Sequence, residues 1–518
     1  MQLGAVAVVL AALPYKAFDL DRYLVPKELV LHLCAAAAAL ALISHAKRLA
    51  LDVADALVVV VLLSGCLSVL TAINHWSAER ALAITMSGAL CFWVAGRLRR
   101  AGLAGPLIVA LAAAVVAGAS TSLAQAYGVR TEFFSLNRAP GGTFGNRNFV
   151  AHLCAIGLPA VVLVGLTARL AIVGVMSGLG VAVIAAALVL SRSRAAWLAV
   201  IALFIPVALL AWTSRTRLSH ARVGRRLVVT GGAVVAGALA AVAIPNRLEW
   251  RSDSPYIDSA SGLVNYKQGS GRGRLVQYEN SLRMFAAHPV LGVGPGNWPV
   301  VYPRYASRND PSMSQEDGLT SNPWPSSDWV AFLSERGGVG FIALLLFIVT
   351  LAVRAIRDLR APGTSDADRV LADLALIGTL TATIVVGAFD AVLLLGAPTF
   401  IVWTLLGVLS PRPTTGVTVE RGVSELGPVV VFGLGVLTAG RSAGQAAAMS
   451  TFSASARSSA LERAALLDPG SYRIRMRLAQ AYLARGDCRR SHNQAQAARN
   501  LFPSAGEPKR DIAACEGR

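Results

Sequence analysis

Charged residues are scarce in this 518-residue chain: they make up 15% of it, against 55% for hydrophobic residues. Soluble domains carry about a quarter charged residues, so the composition excludes an ordinary soluble enzyme and a disordered chain. The 47 Gly and 23 Pro are close to average, which excludes a low-complexity or fibrous sequence. Because the apolar residues form long blocks, the sequence predicts an all-α, polytopic integral membrane protein.

The familiar catalytic and metal-binding motifs are missing as well. The chain has no P-loop, no HExxH helix and no cluster of His residues. None of the six Cys forms a CxxC pair, which excludes a zinc knuckle or a dithiol redox motif. Acidic residues are nearly absent from the apolar blocks, and this disfavours a carrier driven by protons or sodium ions.

Thirteen apolar blocks approach the roughly 17–25 residues needed to cross a membrane. The first and last are short, so we expect a bundle of about 12–13 transmembrane helices. No basic region precedes the first block, which is therefore predicted to be retained. The blocks lie near 1–14, 29–44, 55–74, 80–96, 106–125, 149–168, 170–190, 195–213, 227–244, 329–353, 369–388, 391–410 and 427–440.

The net charge of +19 follows the positive-inside pattern of membrane proteins rather than indicating a nucleic-acid partner. Short basic segments at 45–54, 97–105, 214–226 and 354–368 are predicted to face the cytoplasm. The segments on the other side of the membrane, outside the cytoplasm, are then 15–28, 125–148, 191–194 and the long loop 245–328. With an odd number of spans, the tail 441–518 also lies outside.

We divide the chain into a transmembrane domain (1–440) and a tail (441–518). In the tail, the pairs Asp468-Pro469 and Phe502-Pro503 end two helix-like runs, and their prolines lie 34 residues apart. That period is the tetratricopeptide one, although a simple helical hairpin fits equally well. If the tail lies outside, Cys488 and Cys515 are candidates for a disulfide.

Several candidate binding residues lie in the segments predicted to be outside. The Gly-rich segment 139–149 (APGGTFGNRNF) places Asn146 and Arg147 before a span, where it forms either an anion-binding loop or a tight turn. In 191–197 (SRSRAAW), Arg192 and Arg194 run against the positive-inside trend. One explanation is an anionic ligand, because guanidinium groups make paired hydrogen bonds to phosphate oxygens. The alternative is that the side chains snorkel to the membrane surface or form a salt bridge.

Downstream, a helix is predicted over 274–287, stopped by His288-Pro289, with Arg272 and Arg274 at its start. At the start of the next span, Asp328, Glu335 and Arg336 should face a cavity or each other. A rival, metal-dependent hypothesis is that the pair Asp19-Leu20-Asp21 holds a divalent ion with its carboxylates.

Five segments together resemble the O-antigen ligase and polymerase superfamily of bacterial inner membranes. They occur in the family's order, and the resemblance covers roughly residues 15–410. The resemblance implies a membrane glycosyltransferase fold and a glycan donor on undecaprenyl diphosphate, used at the periplasmic face without a metal or other cofactor. The segments are GTFGNRNF (142–149), SRSRAAWL (191–198), GRLVQY (273–278), HPVLGVGPGNW (288–298) and SDWVAFLSERGGVG (327–340).

The resemblance also implies residue roles. Arg194 and Arg274, the latter four residues before Tyr278, match family arginines expected to hold the donor diphosphate. Glu335 matches a family Glu, but Ser326 stands where ligases carry a His. Asp328 is therefore the predicted acceptor base, with His288 as a second candidate.

The sequence thus predicts a glycan transferase or polymerase. Alternatives are a ligase acting on lipid A core, a protein O-oligosaccharyltransferase, a flippase or permease for the same lipid-linked glycan, and an inactive scaffold. The tail is expected to serve a protein partner.

Overall fold

The computed structural model describes residues 1–45, 48–135, 139–218, 221–250, 254–261, 269–307, 309–314, 317–361, 366–411, 417–420 and 426–516. Most of the first ten helices form from long apolar runs, in which helical hydrogen bonds satisfy the backbone within each segment. They are α1 (Gln2–Leu10), α2 (Asp21–His45), α3 (Val53–Val69), α4 (His75–Arg100), α5 (Ala104–Ala126), α6 (Arg147–Thr167), α7 (Ala171–Ser191), α8 (Arg194–Thr213), α9 (Arg215–Leu218) and α10 (Ala221–Ala243).

Eleven further helices and one strand pair complete the described chain. The helices are α11 (Pro255–Ser261), α12 (Gly269–Ala287), α13 (Trp298–Val301), α14 (Asp328–Arg360), α15 (Ala367–Gly387), α16 (Gly396–Leu409), α17 (Leu426–Ala454), α18 (Ser458–Leu467), α19 (Tyr472–Leu483), α20 (Cys488–Leu501) and α21 (Glu507–Glu516). Two four-residue strands, β1 (Arg48–Leu51) and β2 (Val417–Glu420), pair antiparallel.

The prediction of an all-α polytopic membrane protein is confirmed. Within the described ranges, nine helices are long and apolar enough to cross a membrane, namely α2, α4, α5, α6, α7, α8, α10, α14 and α15. The shorter apolar helices α3 and α16 fill two more predicted spans. Large apolar side chains are exposed on the outside of the bundle, as expected for a surface in contact with lipid, for example Val228 at 75% and Ile205 at 69%.

The first predicted span differs from the structure. Only nine residues of 1–14 form α1, which is about 14 Å long at 1.5 Å per residue and too short for a hydrocarbon core of about 30 Å. Helix α1 packs against α5 and α2 instead. The last predicted span, 427–440, lies within α17, which packs along α2.

Basic residues gather at one end of the bundle, which we call the basic face. Arg354 donates to Asp52 at 3.0 Å, and Arg100 lies 4.0 Å from the same carboxylate. Arg217 donates to the carbonyls of Leu359 and Ala361, both at 2.8 Å. Described parts of all four predicted basic segments therefore lie at this end.

The opposite end, which we call the loop face, carries the long loop and the tail. Helices α2, α4, α6, α8 and α14 begin there. Leu501 accepts from the Asn74 amide at 3.4 Å, and Asp317 accepts from the Gly506 N–H at 3.0 Å. The tail is thus in contact with both the start of α4 and the loop.

Four short helices, α18 to α21, form the tail and stack in sequence order. Helices α18 and α20 end next to the two proline pairs, and α19 and α20 lie between those pairs. The tetratricopeptide assignment itself stays a prediction. Cys488 begins α20 and Cys515 lies in α21; both are thiols in the structure.

Helix α14 is broken at Gly337, whose φ of 69° and ψ of −177° are not helical. The N–H groups of Val293 and Gly294 donate to the carbonyls of Ser334 and Glu335 at 3.0 and 2.9 Å. A Cβ at Gly337 would overlap with the Val290 carbonyl. The break therefore needs glycine, and it ties the loop to the start of α14.

We predict that Gly337→Ala lowers the free energy of unfolding by about 2 kcal/mol or more, because Ala adds both an unfavourable φ and a clash. Thermal unfolding in detergent measures this. The control is Gly178→Ala, where no atom lies within 4 Å of the added Cβ. Equal melting temperatures for the two variants would contradict the prediction.

Candidate functional site

Three arginines converge where α6 begins and where α7 passes into α8. The guanidinium carbons of Arg147 and Arg192 lie 5.5 and 4.5 Å from the ring centroid of Trp250. Arg194 is the first residue of α8, and its charge and that of Arg192 both act on Arg147. We call Arg147, Arg192 and Arg194 the arginine cluster. Three like charges held this closely favour a bound anion.

The turn between α7 and α8 is held by contacts of its own residues. Arg192 takes a left-handed backbone (φ 53°), the only non-glycine residue to do so in the described chain. Its Nε donates to Ser259 at 2.9 Å, so α11 fixes the side chain. The Trp197 indole donates to the Leu188 carbonyl at 2.8 Å and joins α7 to α8. Partial burial lowers the pKa of Arg192, and nearby Asp258 opposes that shift.

A second group of polar residues lies around Arg274 on α12. Its charge acts on both His152 and Asp390. The His152 Nδ1 lies 3.9 Å from an Asp390 oxygen, and neither ring nitrogen has a hydrogen-bond partner among the described residues. Burial raises the pKa of Asp390 to about 6, while the Ala391 N–H and Arg274 pull it down.

Sequence reasoning missed His152 and Asp390 as site residues. A signal was present in each case. His152 lies in the first turns of a span, five residues after Arg147, and Asp390 interrupts two apolar blocks. Ionisable groups at such depth usually mark functional sites.

Asp328, the predicted base, is fully buried at the start of α14. Its carboxylate accepts from the N–H groups of Val392 and Leu393 at 2.9 to 3.1 Å. In the same region the Tyr278 hydroxyl lies 2.7 and 2.8 Å from the carbonyls of Ser326 and Ala388. Asp328 and Tyr278 therefore hold the segment after α15, which carries Asp390, in place.

Glu335 and Arg336 lie at the break in α14. The Glu335 carboxylate accepts from the N–H groups of Gly296 and Trp298 at 2.9 and 3.0 Å, so it fixes the GVGPGNW turn. Arg336 donates to the Thr85 hydroxyl at 2.8 Å and lies over Phe332. The buried charges thus contact polar groups of neighbouring elements.

The remaining predicted residues are spread over the loop face. Asn146 caps α6 by accepting from the Asn148 N–H at 2.9 Å. Arg272 is exposed on α12, and His288 is exposed just after that helix ends. At 1.5 Å per residue, His288 is about 21 Å along α12 from Arg274.

The Gly-rich segment before α6 forms a tight turn. The Gly142 N–H donates to the Gln125 side chain at 2.7 Å, and the Phe144 N–H donates to Gly141 at 3.0 Å. The Lys27 amine donates to the Thr143 carbonyl at 2.8 Å. These contacts favour the tight-turn interpretation over an anion-binding loop.

The two carboxylates of the metal hypothesis, Asp19 and Asp21, contact different arginines. Asp21 pairs with Arg80 at 3.0 Å, and Arg80 also pairs with Glu28 at 2.8 Å. Asp19 is largely exposed and lies 4.0 Å from Arg473 of the tail. Among the described residues, no group of three His, Cys, Asp or Glu could hold a metal ion.

A cavity of about 460 Å³ lies between the bundle and the tail, and we call it the tail cavity. The starts of α2 and α4, the GVGPGNW turn and the tail form its walls. Trp324 lines it and also lies 6.1 Å, centroid to centroid, from Phe149 of α6. The cavity therefore borders the region of the arginine cluster.

One family model matches part of the chain. The sequence model of the O-antigen ligase family matches residues 179–345. This segment is therefore similar to the O-antigen ligase domain. The match runs from within α7 to within α14 and includes Arg192, Arg194 and Arg274. No curated protein matches the chain. The predicted resemblance to the O-antigen ligase and polymerase superfamily is thereby confirmed, and the match supports glycan transfer of the ligase or polymerase type in general.

We predict that Asp328→Ala destabilises the protein by about 2 kcal/mol or more, because two buried N–H groups lose their acceptor. Thermal unfolding in detergent is the measurement. The control Glu279→Ala removes only an exposed ion pair with Arg283 and should cost less than about 1 kcal/mol. An Asp328→Ala variant as stable as this control would refute the positioning role.

Proposed function

We propose that the protein transfers a glycan from undecaprenyl diphosphate to a sugar hydroxyl at the periplasmic face of the bacterial inner membrane. The observation that carries this proposal is the convergence of Arg147, Arg192 and Arg194 at the loop face, inside the segment matched by the family or next to it. A lipid diphosphate is the anion that a membrane enzyme of this family would use.

The sidedness follows from charge. The basic face, with Arg100, Arg217 and Arg354, fits the cytoplasmic side under the positive-inside rule. The loop face, which carries the arginine cluster, is then periplasmic. Arginines there are the exception to the rule, and a diphosphate ligand gives a reason for them.

Bond cleavage needs charge stabilisation at the leaving group. As the bond between the anomeric carbon and the diphosphate oxygen breaks, the electron pair goes to that oxygen. We infer that Arg194 and Arg274 neutralise the developing charge, with Arg192 and Arg147 binding the rest of the diphosphate. Guanidinium forks make paired hydrogen bonds to phosphate, and preorganised donors of this kind supply several kcal/mol.

The acceptor hydroxyl attacks the anomeric carbon from the opposite side, with inversion, and gives up its proton. We propose Asp390 as the base, rather than Asp328. Asp390 faces Arg274 and His152, whereas the Asp328 oxygens are occupied by two backbone N–H groups. His152 lies close enough to orient the Asp390 carboxylate.

Family members differ in the acceptor to which they transfer the glycan. Ser326 stands where ligases carry a His, and the chain adds a helical tail. We therefore favour glycan polymerisation in O-antigen or exopolysaccharide assembly. A ligase acting on lipid A core, a protein O-oligosaccharyltransferase and a flippase are the alternatives that the assay below separates.

We expect Arg194→Ala and Arg274→Ala each to lower transfer at least about 100-fold, the usual cost of losing one preorganised donor. Purified protein receives undecaprenyl-diphosphate-linked glycan with EDTA, and glycan length is read on gels. Separate reactions add no acceptor, lipid A core or an acceptor peptide. Arg283→Ala, exposed on the same helix as Arg274, is the control.

Glycan lengthening without added acceptor supports the polymerase. Transfer only to lipid A core, or only to the peptide, supports the ligase or the protein transferase. Donor binding without any transfer supports the flippase or the scaffold. Full activity in both variants would overturn the proposed roles of Arg194 and Arg274, and loss of wild-type activity in EDTA would overturn a metal-independent reaction.

The pH profile tests Asp390. A base must be ionised, so transfer should decline as the pH falls below about 6, the pKa of Asp390. Asp390→Asn should be slow at every pH and should lack this acid limb. Single-turnover rates between pH 5 and pH 8 give the profile. An unchanged acid limb in Asp390→Asn would assign it to another group.

A further inference from the structure

We propose that the tail cavity is the binding site for the acceptor glycan, and that the C-terminal tail supplies part of its recognition surface. This proposal rests on the proposed function, since it names where the second substrate lies. The lining comes from separate parts of the chain and includes Trp76, Arg80, Trp324, Glu335, Tyr472 and Phe502.

The chemistry of this lining suits a carbohydrate. Trp324, Tyr472 and Phe502 offer flat aromatic surfaces, on which the C–H faces of sugar rings pack. The carboxylates of Asp19 and Asp21 lie beside them, and carboxylates accept hydrogen bonds from hydroxyls. At about 460 Å³ the cavity is within the size range of small-molecule sites, so it has room for the end of an oligosaccharide.

The tail cavity and the arginine cluster differ in how their charges are arranged. The positive charge of Arg80 is balanced by Asp21 and Glu28, to which it is bonded. Arg473, near Asp19, is matched in the same way. The pairing of both arginines in the cavity lining favours an uncharged, hydroxyl-rich ligand, whereas the three neighbouring arginines of the arginine cluster favour the diphosphate.

The tail contacts α4 closely at the place where it forms a wall of the cavity. The Trp76 indole donates to Asp468 at 3.0 Å, and Arg441 lies over the same indole while pairing with Glu79 at 2.8 Å. Gly470 packs so closely on Trp76 that a Cβ there would overlap with the ring. These contacts place Tyr472 at the cavity as a fixed part of its surface.

The cavity also lies beside the proposed reaction centre. Trp324 separates it from Phe149, which follows Arg147 by two residues. Leu394 and Leu395 line the cavity four and five residues after Asp390. An acceptor held in the cavity is therefore next to both the base and the donor.

Binding of lipid-free glycan tests the proposal without requiring transfer. One probe is fluorescently labelled glycan released from the lipid-linked donor by mild acid; the other is labelled core oligosaccharide released from lipopolysaccharide. Neither carries the diphosphate. Full-length protein in detergent is titrated with each, and anisotropy gives the dissociation constant.

We expect Tyr472→Ala to raise the dissociation constant at least about tenfold for one of the probes, while Tyr472→Phe keeps it within about twofold. Trp324→Ala should weaken binding as well. Arg194→Ala should bind like the wild type, because the probes lack a diphosphate. The control Arg499→Ala, exposed on α20, should also be unchanged.

Wild-type protein that binds neither probe would overturn the proposal, as would Tyr472→Ala that binds both probes normally. Binding that is lost in Arg194→Ala but kept in Tyr472→Ala would place the glycan at the arginine cluster instead. If the wild type binds glycan yet fails the transfer assay, the proposed function fails and the glycan site stands.

Discussion

The loop face depends on one break in a helix. At Gly337 the helical hydrogen-bond pattern of α14 is interrupted, and the carbonyls of Ser334 and Glu335 become free to accept from Val293 and Gly294. The Glu335 side chain then accepts two more N–H groups from the same turn. A buried carboxylate and two buried carbonyls would be costly without these partners, so the turn and the helix require each other.

Charge in this protein is concentrated rather than spread. Most helices carry almost none, so the few ionisable groups inside the loop face act in a medium that screens them weakly. Asp328 and Glu335 accept from backbone N–H groups and hold loops. We propose that the arginine cluster and the group around Arg274 and Asp390 bind the ligands. In this proposal some charged residues build the site and others perform the chemistry.

The tail changes what the loop face can bind. Without it, Trp76 and the start of α2 would form an open surface rather than one wall of a cavity. Contacts at Trp76 and Asn74 hold the tail against the bundle. A short helical segment with little core of its own is thus stabilised by the bundle, and it forms one wall of the tail cavity.

Sequence alone determined the membrane class, nearly all the helices and the five segments that carry the family. Apolar length and basic segments suffice for this, because hydrocarbon demands helices and the membrane sorts charge. The sequence also indicated Arg192, Arg194 and Arg274 as candidate ligand-binding residues. The tertiary structure decided which charges meet: Asp390 with Arg274 and His152, and Asp328 with Val392 and Leu393. Those pairs are distant in sequence, so no local pattern encodes them. The tail cavity depends on tertiary packing for the same reason, since its walls come from both ends of the chain.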